Sequence, residues 1–155
     1  DYALLIDLLN APSVAARARE EDPLAPARLR WLRDRERLLS AEGGAVPADA
    51  VMEITGLKSR QAIQQRRARG TLLGLPVGDA KYLYPVWQFD PHGRTLPGLA
   101  TTLTVLRSLD PWGQAAFLLS GDPVLNGERP LDVLRQGRVA DAVKAASAYG
   151  EQGGS

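Results

Sequence analysis

The stretch Val51-Met52-Glu53-Ile54-Thr55-Gly56-Leu57-Lys58-Ser59-Arg60-Gln61-Ala62-Ile63-Gln64-Gln65-Arg66-Arg67-Ala68-Arg69-Gly70 decides how this chain is read. Val51, Met52 and Ile54 supply an apolar helix ahead of Thr55-Gly56-Leu57, and glycine in that turn allows a positive φ. Ser59 is placed to cap a second helix, Leu57 and Ile63 to pin it on the first, and Gly70 to stop it. The pattern predicts a helix-turn-helix. Lys58, between Leu57 and Ser59, makes the turn one residue longer than the usual Gly-Val-Ser-Arg-Gln form. Downstream, Thr71-Leu72-Leu73-Gly74-Leu75, a Val77-Gly78-Asp79-Ala80 turn and Lys81-Tyr82-Leu83-Tyr84 predict a short hairpin, placed as a wing. Trp87, Phe89 and the turn Asp90-Pro91-His92-Gly93 close this block with aromatic bulk, read as core of a small domain rather than a base-stacking platform.

Charge is uneven along the chain. Between Ile54 and Gly78 stand Lys58, Arg60, Arg66, Arg67 and Arg69 and no acidic residue, although the net charge of the whole chain is only +1. Gln61, Gln64 and Gln65 are interleaved with them. Amides suit base edges and guanidinium groups suit phosphates, so Lys58, Arg60, Gln61, Gln64, Arg66 and Arg67 are the candidate DNA-binding residues. A solvated basic face on a retained fold is the competing reading.

On either side the pattern is helical. In the first block Trp31, Leu32, Leu38 and Leu39 repeat at a spacing of seven, with Leu29 three before Leu32, which predicts one apolar stripe. The charges between them (Arg30, Arg33, Asp34, Arg35, Glu36, Arg37) suit a solvated face, and Gly43-Gly44 ends the helix. Before it, Pro12, Pro23 and Pro26 bracket a charged stretch of Arg17, Arg19, Glu20, Glu21 and Asp22, read as a short helix on a leader. In the third block Leu99, Leu103, Leu106 and Leu109 predict one stripe. Asp110-Pro111 predicts an N-cap and first helical residue for a helix burying Trp112, Ala116 and Leu119. Gly121-Asp122-Pro123 breaks that helix, and Pro130 opens a short one carrying Leu131 and Leu134 and stopping at Gly137. A last helix, Val139 to Tyr149, with Val139, Ala142, Val143 and Ala146 on one face, stops at Gly150. The fold class expected is mainly α: a helical region over 1–44, a helix-turn-helix-like part with a short β-hairpin over 45–97, and a C-terminal helical domain over 98–155.

Composition narrows the chemistry. With 155 residues, 45% of them hydrophobic, the chain can bury about 70% of its unfolded surface without staples. It has no cysteine and one histidine, His92, in a turn tripeptide. Thiol nucleophiles and thiolate metal sites are excluded, and a histidine-based triad or metal site has little to build on. Asp122 and Glu128 flank a loop as a conceivable acid/base pair for a small hydrolase. Without a nucleophile or oxyanion motif they read as caps or surface charges. The glycine pair Gly43-Gly44 follows a helix, not a strand, so no phosphate-cradling loop is indicated. The sequence reads against an enzyme and implies no cofactor. No run of about 18 apolar residues occurs. The Asp1 start predicts a trimmed N-terminus, and the first nine residues lack the marks of a signal peptide, so a cytoplasmic chain is expected.

The third block carries a specific residue order: Phe117, then Pro123-Val124-Leu125-Asn126-Gly127-Glu128-Arg129-Pro130-Leu131-Asp132-Val133-Leu134, Gly137, and a helix ending Tyr149-Gly150. This stretch resembles the toxin-binding domain of ParS/MbcA/Xre-type antitoxins, in which a "gGxxPxxxL" element, a glycine and a final helix recur in this order. Asn126 stands where glycine is frequent. The resemblance covers the last third of the chain and, more loosely, Leu57 through Asp90, while residues 1 to 42 lie outside it. It implies a type II antitoxin that neutralises a RES-domain toxin, one that transfers ADP-ribose or degrades NAD, by covering its cleft, and that also represses its own operon at operator DNA. The toxin-binding residues it implies are Leu125, Asn126, Gly127, Glu128, Arg129, Pro130, Leu131, Leu134 and Tyr149. Arg129 would pair with an acidic toxin group or occupy the place of a substrate charge, and Leu131, Leu134 and Tyr149 would be apolar anchors. Intramolecular core is the competing reading for the leucines. A homodimer within a larger toxin complex is expected, and the rival is a helix-turn-helix transcription factor with no toxin.

Overall fold

A computed structural model describes residues 23–153. The charged leader expected before Pro23 lies outside the described residues. The remainder is mainly helical with one small antiparallel sheet. In chain order the elements are α1 (Ala25–Ser40), β1 (Ala45–Val46), α2 (Ala48–Thr55), α3 (Arg60–Arg69), β2 (Leu75–Gly78), β3 (Lys81–Pro85), α4 (Leu99–Val105), α5 (Pro111–Leu119), α6 (Pro130–Arg135) and α7 (Val139–Gly153). Single 3-10 turns cover Ala41–Gly43, Val86–Gln88 and Pro123–Leu125. No helix among the described residues is long and apolar enough to cross a membrane.

Helix α1 docks by Leu38 and Leu39, both buried, as the leucine spacing predicts. Trp31 departs from that expectation, being 50% exposed. The Arg35 guanidinium carbon lies 3.4 Å from its ring centre and 4.5 Å from that of Trp112 on α5. Arg35 therefore sits between two indoles instead of on a solvated face, because i and i+4 place it directly over Trp31. Burial lowers its pKa from the ordinary arginine value, and the charge of Asp110 opposes that shift.

The helix-turn-helix forms where the sequence places it. Gly56 takes φ +78° at the end of α2 and donates its N–H to Met52 O at 2.8 Å. The Ser59 hydroxyl accepts the Ala62 N–H at 3.1 Å, capping α3, and Gly70 at φ +79° ends it. Val51, Ile63, Leu72 and Tyr84 form a small core beneath these helices, with Met52, Leu57 and Phe89 packed against it. Each fully buried side chain there contributes roughly 1.5–3 kcal/mol.

The sheet has order β1-β3-β2, pairing Val46 with Tyr84 and Leu75 with Leu83. A bulge lies between Pro76 and Gly78, and Ala80 turns the hairpin at φ +56°. Thr71–Gly74, expected in the first arm of the hairpin, lies outside the ladder. The backbone of Leu73 is instead paired by a side chain. Fully buried Gln88 accepts the Leu73 N–H at 2.8 Å and donates to Leu73 O at 2.8 Å and to Pro85 O at 3.0 Å.

Among the described residues the larger core draws on all three blocks, from Leu38 and Leu39 through Leu73, Leu75 and Trp87 to Leu99, Leu118, Leu131 and Ala146. Three expectations for the third block are corrected. Helix α4 stops at Val105, and Leu109 sits in the turn before Asp110, whose carboxylate accepts the Gly113 N–H at 2.8 Å. Helix α5 buries Ala115 and Leu118 beside Trp112, the i+3 and i+6 positions, leaving Ala116 and Leu119 half-buried. Helix α7 runs through Gly150 to Gly153, since Gly150 does not take the left-handed conformation of a helix stop. It buries Ala145 beside Ala142 and Ala146.

Candidate nucleic-acid interface and C-terminal loop

Helix α3 stands out from the body. Among its ten residues Ile63 alone is buried, while Arg60, Gln61, Gln64, Gln65, Arg66 and Arg69 are exposed, as is Lys58 in the turn. Spacing of 3.6 residues per turn places Arg60, Gln64 and Arg67 on the flank facing the hairpin. A groove of about 390 Å³ runs there, lined by Asp49, Arg60, Gln64, Arg67, Lys81 and Tyr82 among others.

Two of the candidate arginines are engaged within the chain. Arg60 Nε and Nη2 donate to Asp49 Oδ1 and Oδ2, both at 2.7 Å. This hydrogen bond holds the Asp49 carboxyl below its usual range and raises the Arg60 pKa. The Arg67 guanidinium carbon lies 3.7 Å from the ring centre of Tyr82 in β3, and its buried Nε has no hydrogen-bond partner. Arg67 thus ties α3 to the hairpin. A Cβ at Gly74 would lie 2.7 Å from Arg67 Cδ and 2.9 Å from Tyr84 Cε2, so only glycine leaves room for that stack.

His92 is exposed in a turn held by Asp90, whose Oδ1 accepts the N–H groups of Arg94 at 3.0 Å and His92 at 2.8 Å. These bonds, the Arg94 one foremost, keep the Asp90 carboxyl below the usual range.

The C-terminal loop is built around Asp122. Its carboxylate accepts the Val124 N–H at 2.8 Å, its carbonyl accepts from Leu125 and Gly127, and its N–H donates to Glu128 O at 3.0 Å. Asp122 is therefore a cap, the role the sequence favoured. Asn126 and Gly127 take φ +56° and +88° in succession. Asparagine is the side chain that best tolerates this conformation after glycine, which accounts for its presence at the first of the two positions.

The candidate toxin-binding residues divide by burial. Leu125, Pro130, Leu131 and Leu134 lie in the interior, so in this structure they support the loop from within and offer no surface. Asn126, Gly127 and Glu128 are exposed at the tip, with Val124 45% and Tyr149 39% exposed. The Tyr149 ring stacks at a tilt on Phe117, centres 4.9 Å apart. Arg129 is occupied within the chain: Nε donates to Asp132 at 2.8 Å and Nη2 to Glu42 at 2.7 Å. Glu128 pairs with Arg138 at 2.7 Å. Asp49 and Glu42 were not legible as partners, since each meets its arginine only through the packing of separate elements.

The chain is similar in fold to a solved protein, the NMR structure of Rv2175c, with 21% sequence identity over 72% of this chain and 84% of that one and a TM-score of 0.61. No family model and no curated protein matches the chain.

Proposed function

We propose that this protein binds duplex DNA, inserting α3 into the major groove with the β2–β3 hairpin alongside. The observation that carries this reading is a ten-residue helix with one buried side chain, flanked by a hairpin and bearing basic and amide groups without a carboxylate of its own. Lys58, Arg66 and Arg69 supply phosphate contacts, while Gln61 and Gln64 face base edges. Fluorescence anisotropy on duplex from the protein's own promoter tests it. Replacing Arg60, Gln64 and Arg66 together by alanine abolishes binding, whereas unchanged binding refutes the assignment.

A second reading, that the protein is an antitoxin neutralising a RES-domain toxin, is favoured by the residue order from Pro123 to Leu134 and by the exposed apolar groups Val124 and Tyr149. Here the surface offered is the tip Asn126-Gly127-Glu128 with those two side chains, on a turn packed against α7. Coexpression with a neighbouring RES-domain protein yields a stable complex and protects cellular NAD. Failure to co-purify sinks this reading and leaves the first intact.

A further inference from the structure

We propose that Arg60 reads a guanine with the free end of its guanidinium and that Asp49 is the residue that aims it. This rests on the DNA-binding reading above. Arg60 is the first residue of α3, directly after the Ser59 cap, which is where a groove-inserted helix meets base edges. A guanidinium carries five N–H groups in a fixed fork. Asp49 takes the side edge, Nε and one hydrogen of Nη2. Left over are both hydrogens of Nη1 and the second of Nη2, a two-pronged end matching O6 and N7 of guanine. Adenine presents an N6 donor beside N7, which opposes one prong.

The partner also selects against the backbone. An unpaired arginine is drawn to phosphate as readily as to a base. A carboxylate 2.7 Å from the guanidinium is repelled by phosphate and offsets part of the arginine charge, so the pair is favoured against an uncharged base edge. With side chains 68% and 64% exposed, the ion pair adds little to stability. Its consequence is orientation. Asp49 is fixed in the first turn of α2, and the α2–α3 crossing sets where the fork points.

The test starts from the full chain and a duplex pool with a randomised centre, from which bound sequences are enriched and then measured by anisotropy. The enriched sites contain one guanine whose replacement by 7-deazaguanine, which lacks the N7 acceptor, weakens wild-type binding on the order of tenfold. Arg60→Ala is indifferent to that replacement. Asp49→Ala keeps the wild-type urea midpoint and loses the preference for guanine over 7-deazaguanine. If Arg60→Ala weakens every duplex equally and lowers the salt slope by about one, Arg60 is a phosphate contact and the proposal is overturned while DNA binding stands. Preference unchanged in Asp49→Ala overturns the role of Asp49. Absence of binding to any duplex overturns the DNA-binding reading and this proposal with it.

Discussion

Glu42 accepts a 2.7 Å hydrogen bond from Arg129, 87 positions further along the chain. Its backbone is left-handed, φ +52°, and its carboxylate also meets Arg135 at 3.4 Å. The end of the first helix is thereby tied to the loop that carries the antitoxin resemblance. The Arg129 hydrogen bond lowers the Glu42 pKa from its ordinary value of 4.5, and Asp132 is lowered by the same arginine. A carboxyl whose native pKa lies below its unfolded one stabilises the fold above the unfolded value and ceases to do so as pH falls through the native value. Glu42→Gln is therefore expected to lower the urea midpoint at neutral pH. The difference from wild type shrinks once the pH passes below 4.5 and through the lower native value. A difference independent of pH would show that the carboxylate charge plays no part.

Gln88 offers a test of the interior. Its amide satisfies the N–H and carbonyl of Leu73, which lies outside the strands, and the carbonyl of Pro85 at the end of β3. Gln88→Leu leaves these buried groups unpaired and is expected to destabilise the protein by about 3 kcal/mol in urea unfolding, against under about 1 kcal/mol for a surface substitution such as Gln65→Leu.

These residues also show where sequence reading stops. Capping and turn chemistry are local, so Ser59, Gly56, Asp110 and the α2–α3 pair were legible from spacing alone. Strand β1 was not, since two residues carry no alternation to detect. The face of α5 falls one residue away from the expected one because the run Ala115-Ala116-Phe117-Leu118-Leu119 is apolar all round, and tertiary packing alone selects the buried side. In α7 the expected Ala142 and Ala146 are buried and Ala145 joins them. Arg129 reads as a free loop arginine until Glu42 and Asp132 are brought to it by the fold. Trp31 reads as part of the apolar stripe, but the fold leaves it half-exposed with Arg35 stacked over its ring.

Two glycines of the C-terminal loop separate steric exclusion from backbone strain. A Cβ at Gly121 would lie 2.5 Å from the carbonyl oxygen of Gly127, a backbone atom that cannot move without unpicking the turn. Gly127, at φ +88°, has open space around its Cα. Gly127→Ala is expected to cost about 1–2 kcal/mol, the strain of a left-handed alanine. Gly121→Ala costs more, about 2–4 kcal/mol. Thermal unfolding of the two variants ranks them, and equal losses would show that the loop adapts to the clash.

Arg66 and Arg67 are sequence neighbours with different surroundings, and under the proposed DNA-binding function they divide α3 into contact and support. Arg66 is exposed on α3 with no ion pair among the described residues, so Arg66→Ala is expected to leave the urea midpoint unchanged and to reduce the salt dependence of DNA binding by about one phosphate. Arg67 stacks on Tyr82 with its Nε buried, a cation–π contact worth about 1–2 kcal/mol when partly desolvated. Arg67→Ala is therefore expected to lower stability by about that amount. Arg67→Met, which keeps the stem packed beside Gly74 and lacks the charge, recovers part of the loss. Because the guanidinium is spent on the hairpin, Arg67→Met should change the salt slope little. A full unit of change in that slope would show that Arg67 leaves Tyr82 for a phosphate when DNA is bound.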